Sequence, residues 1–519
     1  MSYFAMADLE IADGTTDLSH TPPNKTDAAL ALDEDAGTTS ALCEWAMGLK
    51  VTDVPKSVLE RVKHLILDGI ACGMVGGHVP WSEQCADAVL DYEPPGYCSV
   101  IGYTEKLGPL AAAILNGAFI QATELDDYHS SAPLHSASVV LPALLSAAQC
   151  LSTGNGRGDK SKQKVVSGLD FLLAAVVGFE TGPRAGLALG GAELLTRGWH
   201  SGVIFGCPAA ALASARLLGL SAEHAESAVG IACTQAGGLM SATYEGMIKR
   251  VQHAFAARAG LFGALLARNG YVGIKKVLER RYGGFLSMFS KGNGADPPYD
   301  VRRVVDELGQ RWEIFNIRVK LHACVGGCHG QVEAIAQLQQ KHPERFEAEK
   351  LHHITSIRVG LSDPIFAHDG WEPFQRPLET TGAQMDAAYI GASQLVDGQV
   401  LLEQFADRNL NRDEVWDLVH KTACYHDPHF DQPHFACGAR ITVEFDDGIQ
   451  VEGVLEQPRG YNPAITDEDI RRKYRKLTPS AVDDEQRLQR IQDLVLNLED
   501  IDDISELIEL LALPTKNVL

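Results

Sequence analysis

The sequence predicts a mainly α protein, with a large all-helical domain joined to a smaller α+β domain. Three observations predict it. Apolar residues recur at helical spacing from about residue 41 to about residue 285. Near residue 313 the pattern changes and strand-like alternation begins. Aromatic residues make up only 7% of the chain while glycine numbers 49, a balance that suits close-packed helices better than one large sheet. A chain of 519 residues is also too long for one ordinary core.

Residues 1–40 hold eight acidic side chains and one basic one, Lys25. An import presequence is Arg-rich and acid-poor, so this stretch reads as a disordered acidic tail. Apolar residues at i, i+3, i+4 then predict helices over 58–75, 111–125, 139–151, 171–182, 207–220 and 251–267. Some are apolar nearly all round, which means buried helices in a multi-helix body. Ser221 is a good N-cap for a further helix, with Glu223 in its first turn. "GNGRGDKSKQK" (154–164) reads as a solvated loop. Residues 41–312 therefore form a first helical segment. Strands are expected at 316–321 and 352–361, a helix at 382–398, and a hairpin over 439–456 about Asp446-Asp447-Gly448. These give an α+β domain over 313–460. After Pro463 the helical pattern returns, and 461–519 is expected to complete the helical domain.

The net charge of −23 argues against nucleic acid or an anionic membrane as partner. It does not exclude a small anionic substrate, because a few local cations can dominate inside a dry cleft. No apolar run reaches the length of a membrane span; "FLLAAVVGF" (171–179) is too short. The eleven scattered cysteines, with no signal peptide, read as reduced thiols in a cytoplasmic protein.

No glycine-rich nucleotide loop, zinc-protease helix or nucleophile elbow is present, so chemistry is expected from side chains alone. "ELDDYHSSAPLHSAS" (124–138) concentrates titratable groups between two helical stretches. His135 precedes a helix N-terminus, where N–H groups can meet an anion, and Asp126 and Asp127 stand close enough to tune it. "YEGMIKRVQHAFAARAG" (244–260) sets Lys249, His253 and Arg258 at helical or near-helical spacing in an apolar segment. Cations there point either to a bound anion or to snorkelling at a domain rim. His200, in "RGWHSGVIFG" (197–206), precedes a very apolar helix and taken alone reads as a capping or packing residue. "RVKLHACVGGCHG" (318–330) groups His322, Cys324, Cys328 and His329, but lacks the second ligand pair of a zinc site. Lys320 in the same stretch is more useful as an anion contact. His426, His429 and His434, with Asp427 and Asp431, could pass for metal ligands; two prolines and many polar residues favour a solvated loop. No metal is expected.

Five stretches together carry a family resemblance: "ATELDDYHSSAPLHSASVVLPAL", "TRGWHSG…GCPAAALASARLLGLS", "GIACTQAGGLMSATYEGMIKRVQHAFAARAGL", "RRYGGFL" and "KLHACVGGCHGQVEAI". They resemble the MmgE/PrpD family, and within it a fungal branch that decarboxylates cis-aconitate. The resemblance runs from about residue 41 to the end. It implies a helical domain with a smaller α+β lid, a homodimer, an active site between the domains, and no metal or organic cofactor. It also implies cofactor-free conversion of cis-aconitate, a small tricarboxylate, to itaconate and CO2. By that resemblance His135 is the proton donor to carbon. Lys249 and Lys320 bind substrate carboxylates, and His200 and Tyr389 orient the substrate or relay a proton. The family's acidic run falls on Glu124, Asp126 and Asp127. Asp126 and Asp127 are expected as substrate contacts, and from the residues themselves so are His253 and His322. One departure stands out: where the animal branch has a histidine five residues after the lid lysine, this chain has Val325. The alternatives are a 2-methylcitrate dehydratase-type lyase, which must place an acid at a leaving hydroxyl, and a catalytically inactive metabolite-binding homologue.

Overall fold

A computed structural model describes residues 37–154, 161, 163–373, 375–432, 435 and 437–519. Most of the acidic tail, most of the 154–164 loop, and His434 lie outside the described residues. The first helix, α1 (Thr38–Gly48), begins inside the stretch expected to be tail. Its start is anchored, because buried Thr39 donates both its N–H and its hydroxyl to the Glu279 carboxylate.

The helical body continues with α2 (Lys56–Gly76), α3 (Pro80–Tyr92), α4 (Pro109–Gln121), α5 (Ser136–Ser152) and α6 (Gly168–Ala188). It goes on through α7 (Ser201–Leu217), α8 (Ala222–Cys233) and α9 (Gln252–Arg268). Ser221 caps α8 by accepting from the His224 N–H, as its position in the sequence predicts. At the centre α9 packs on α4, α5, α7 and α8. The small residues explain how so many helices share one core: Gly260 of α9 sits against Ala210 and the Ala211 backbone of α7, where a Cβ would collide.

Two expectations need correction. The body is not all-helical, because β1 (Pro95–Val100) and β2 (Tyr103–Leu107) form an antiparallel hairpin. Its Cys98, Val100 and Leu107 pack with Phe119 of α4 in a separate apolar cluster, and that burial drives the hairpin onto the body. The strand expected at 316–321 shortens to β4 (Ile317–Arg318), paired antiparallel to β3 (Tyr128–His129). The chain leaves the ladder there and buries Lys320.

The smaller unit has one four-stranded sheet of β5 (Ile354–Leu361), β6 (Thr422–His426), β7 (Ala439–Phe445) and β8 (Gln450–Leu455), in the order β6-β5-β7-β8. β5 runs parallel to β6; the other pairs are antiparallel. The β7–β8 turn passes through Asp446-Asp447-Gly448, with Gly448 at φ 78°. Helix α10 (His329–Lys341) covers β7 and β8, α11 (Asp363–Asp369) follows β5 directly, and α12 (Ala387–Asp397) packs on α10. Of the C-terminal helices α13 (Asp467–Leu477), α14 (Glu485–Leu496) and α15 (Ser505–Ala512), the first two return to α2. There Lys473 pairs with Asp68 at 2.7 Å and donates to the Leu125 carbonyl at 2.6 Å. Among the described residues no helix is long and apolar enough to cross a membrane.

Candidate active site

The site is built around the turn after α4. Glu124 adopts φ 55°, a left-handed conformation that a residue with a Cβ takes only when its surroundings over-determine it. The surroundings do so. Trp81 Nε1 and Arg250 Nη1 donate to the Ala122 carbonyl at 3.0 and 2.5 Å. Gln384 of the sheet unit donates to the Thr123 and Ala323 carbonyls at 3.2 and 2.7 Å, and accepts from Arg250 at 2.6 Å. The turn is therefore clamped from both units. Its carboxylate bridges two lysines: Lys249 on one oxygen, and Lys320 on the other at 2.9 Å. All three side chains are buried. Burial would raise the Glu124 carboxyl, but Lys249 and Lys320 outweigh it and hold it well below the usual carboxylate range. Burial would lower Lys320, yet Glu124 keeps it above the ordinary lysine value. For Lys249 burial wins, and it falls below that value. Lys249 sits on a 3-10 turn, Met247–Val251, which precedes α9, so it does not share a continuous helix face with His253.

The histidines come from helix starts. His135 is the N-cap residue of α5 and His200 that of α7. His135 Nδ1 hydrogen-bonds Asp126 Oδ2 at 2.9 Å, which leaves Nε2 for chemistry. His253 stands behind, with its Nδ1 on Ser138 Oγ at 2.9 Å and its ring 4.7 Å from His135 and 4.9 Å from His200. Gly202 lets this ring approach α7, for a Cβ there would overlap it. Burial, then the Lys249 charge, pushes His200 down to about 3, so it is neutral at physiological pH. Burial likewise holds His253 well below the ordinary histidine value. Asp126, His135 and His253 have ligand atoms within 4.8 Å of one another. The hydrogen bonds of the two histidines already fix this geometry.

These groups meet at a cavity of about 200 Å³ between the helical body and the sheet unit. Glu124, His135, His200 and Lys249 line it from the body, and Lys320, Val325, His368 and Met385 from the sheet unit. Two buried cations and an Asp-held histidine on one small cavity fit a substrate with several carboxylates.

The structure does not bring every expected residue to this wall. Asp126 stands one layer back and acts on His135. Asp127 is fully buried and accepts the Ala137 N–H at the start of α5. Burial, then Asp126, raises its carboxyl well above the usual value, so it is a capping group and not a substrate contact. His253 is also one layer back. His322 packs its ring 5.0 Å from His329, away from the wall, and burial lowers it to about 4. Tyr389 is buried against Phe405 and Trp416 and donates to the Gln404 and Asn409 carbonyls at 3.3 Å. It has no place on the wall because α12 turns it into the core of the sheet unit. Tyr389→Phe should therefore cost about 1 kcal/mol of stability by thermal unfolding and leave steady-state constants close to wild type. His426, the last residue of β6, pairs with Asp431 of the following turn at 2.8 Å, partly exposed and away from the cavity. Sequence reasoning missed His368 and Asp369. Their only signal was Ser362-Asp363-Pro364, a helix start placed immediately after a strand.

Comparison with known proteins now bears on this geometry. The MmgE/PrpD N-terminal domain model matches residues 40–298 and the MmgE/PrpD C-terminal domain model residues 322–500. The chain belongs to the MmgE/PrpD family. It is 63% identical over 478 residues to the cis-aconitate decarboxylase-like protein oryM of Aspergillus oryzae, covering 92% of this chain and 98% of that protein. It is 53% identical over 487 residues to the cis-aconitate decarboxylase of Aspergillus terreus, covering 93% and 98%. The cis-aconitate decarboxylase of Mus musculus is 25% identical over 477 residues, covering 90% and 92%. The two family models meet between residues 298 and 322, beside β4 and Lys320, where the cavity divides body from sheet unit.

Proposed function

We propose that this protein decarboxylates cis-aconitate to itaconate and CO2. The observation that carries the reading is one cavity holding two buried lysines and an Asp-held histidine, in a chain whose fungal relatives bear that activity in their names. In cis-aconitate the carboxylate on the CH2 carbon leaves as CO2. The electron pair of the broken C–C bond forms a new C=C to the central carbon. The old C=C pair moves to the far carbon, beside its carboxylate, and a proton from His135 Nε2 ends the step. Solvent returns that proton to the histidine. Charge is delocalised into a carboxylate throughout, so the route requires no organic electron sink. Lys249 and Lys320 hold the two surviving carboxylates and stabilise the charge that grows on them. Neutral His200 orients the substrate. The helical body, 41–312 with 461–519, supplies the proton donor, and the sheet unit, 313–460, acts as its lid.

Proton NMR of metal-stripped protein mixed with cis-aconitate tests this directly. Itaconate is the expected product. Aconitate-type absorbance from methylcitrate, without itaconate from cis-aconitate, would move the assignment to a dehydratase. Turnover of neither substrate would leave a binding protein. Lys249→Ala should raise KM for cis-aconitate about tenfold or more, because a charge-assisted carboxylate contact is lost while Lys320 still pairs with Glu124.

The reading includes a homodimer. Met247 and Ile248, beside Lys249, are 53% and 49% exposed, and Leu239 is 62% exposed, a concentration of apolar surface that a second copy would cover. Light scattering reads the mass. All eleven cysteines are unpaired thiols, which suits a reducing, cytoplasmic setting.

A further inference from the structure

The sheet unit brings a second histidine–aspartate pair to the cavity, and the mechanism above gives it no task. β5 ends at Leu361, and α11 carries the chain on to His368 and Asp369. Both residues line the cavity. His368 Nδ1 hydrogen-bonds the buried Asp369 carboxylate, which fixes the ring and its tautomer. His368 Nε2 is buried and has no hydrogen-bond partner among the described residues. A buried nitrogen on a cavity wall without a partner costs stability unless a ligand satisfies it.

Three other basic side chains of the wall are already engaged. Lys249 and Lys320 share Glu124, and His135 is tied to Asp126. Around His368 the sheet unit offers mostly apolar or glycine surface: Val325, Gly326, Gly327, Pro364, Ile365 and Met385. Burial alone would lower His368, but Asp369 outweighs it and raises the imidazole above its ordinary value, which favours the charged, donating form.

We propose that His368, oriented by Asp369, is a substrate-binding residue that donates its Nε2–H to one of the two carboxylates that survive the reaction. The inference rests on the decarboxylase reading for the identity of the substrate. It gives the sheet unit a direct grip on the ligand, alongside the lysines. Asp369 is a positioning residue, since it acts through His368.

The test compares wild type with His368→Gln and His368→Ala, each shown folded by thermal unfolding. Steady-state constants are taken with cis-aconitate, and itaconate is titrated by calorimetry as a probe that does not react. A charge-assisted hydrogen bond predicts that KM and the itaconate Kd both rise, about ten- to a hundredfold in His368→Ala, with kcat changed far less. The rises should be parallel, because the contacted carboxylate is present in substrate and product alike. Asp369→Asn should move both constants the same way by a smaller factor. Three results would overturn the proposal: unchanged KM and Kd; a fall in kcat with KM unchanged, which would make His368 a proton-transfer group; or a rise in KM with itaconate binding intact, which would put it on the departing carboxylate. Failure of the reaction assignment shows separately, as absence of itaconate from wild type.

Discussion

Replacing His135 by alanine should lower turnover of cis-aconitate by about 10²- to 10⁴-fold, the range that a positioned proton donor supplies. The geometry singles out this histidine among three whose rings touch in sequence. His253 is fully buried behind it, and burial keeps it neutral. His200 reaches the wall but is pushed down to about 3, so at neutral pH it has no proton to give. Of these three, His135 alone both lines the cavity and has a carboxylate on its Nδ1. The fold should tolerate the change. His135 begins α5 through its backbone, with no side-chain cap, so the helix loses no hydrogen bond at its start. Asp126 does lose its partner, at a cost of about 1–3 kcal/mol, and a modest fall in melting temperature is expected. His135→Gln keeps a donor for Asp126 and should recover the stability without the turnover. A loss of less than tenfold in kcat for both variants would remove His135 from the role. His368 is the other Asp-held histidine on the wall, and the kcat of its variants separates the two.

How much of this was legible in the sequence differs from residue to residue. His135 and His200 could be placed at helix starts because each directly precedes an apolar run with helical spacing, but that pattern alone read His200 as a packing or capping residue, and its role at a site came only from the family resemblance. The β7–β8 hairpin could be found because Asp-Gly between alternating strands specifies its own turn. The central ion cluster could not. Glu124 meets Lys249 across 125 residues and Lys320 across 196, and no local pattern encodes a contact of that span. Tyr389 and His322 illustrate the converse. Periodicity says that a side chain is covered, but not by what: Tyr389 faces the core of the sheet unit, and His322 is half-buried beside His329, off the cavity wall. His368 was missed because its helix is seven residues long, too short for a period to register.

Glu124→Gln should be the most destabilising single change at the site, and the one that substrate repairs best. The carboxylate is fully buried between two buried ammonium groups. A neutral amide of the same shape leaves both cations without their counter-charge, and breaking a buried pair this way costs about 3–5 kcal/mol. The pH dependence has a definite sign. The folded-state value of Glu124 lies well below its unfolded value near 4.5, so its contribution is fully present above that value and is lost as pH falls through the lower folded one. Wild type should therefore exceed the variant in stability throughout the neutral range, and the gap should close only in strong acid. Turnover should fall as well, because Glu124 sets the position of both lysines. A tricarboxylate brings the missing negative charge back to the same ammonium groups. Cis-aconitate should thus raise the melting temperature of Glu124→Gln by more than it raises that of wild type, at equal saturation. Equal shifts in the two proteins would mean that the substrate carboxylates do not reach Lys249 and Lys320, and the carboxylate-binding role of both would fall together.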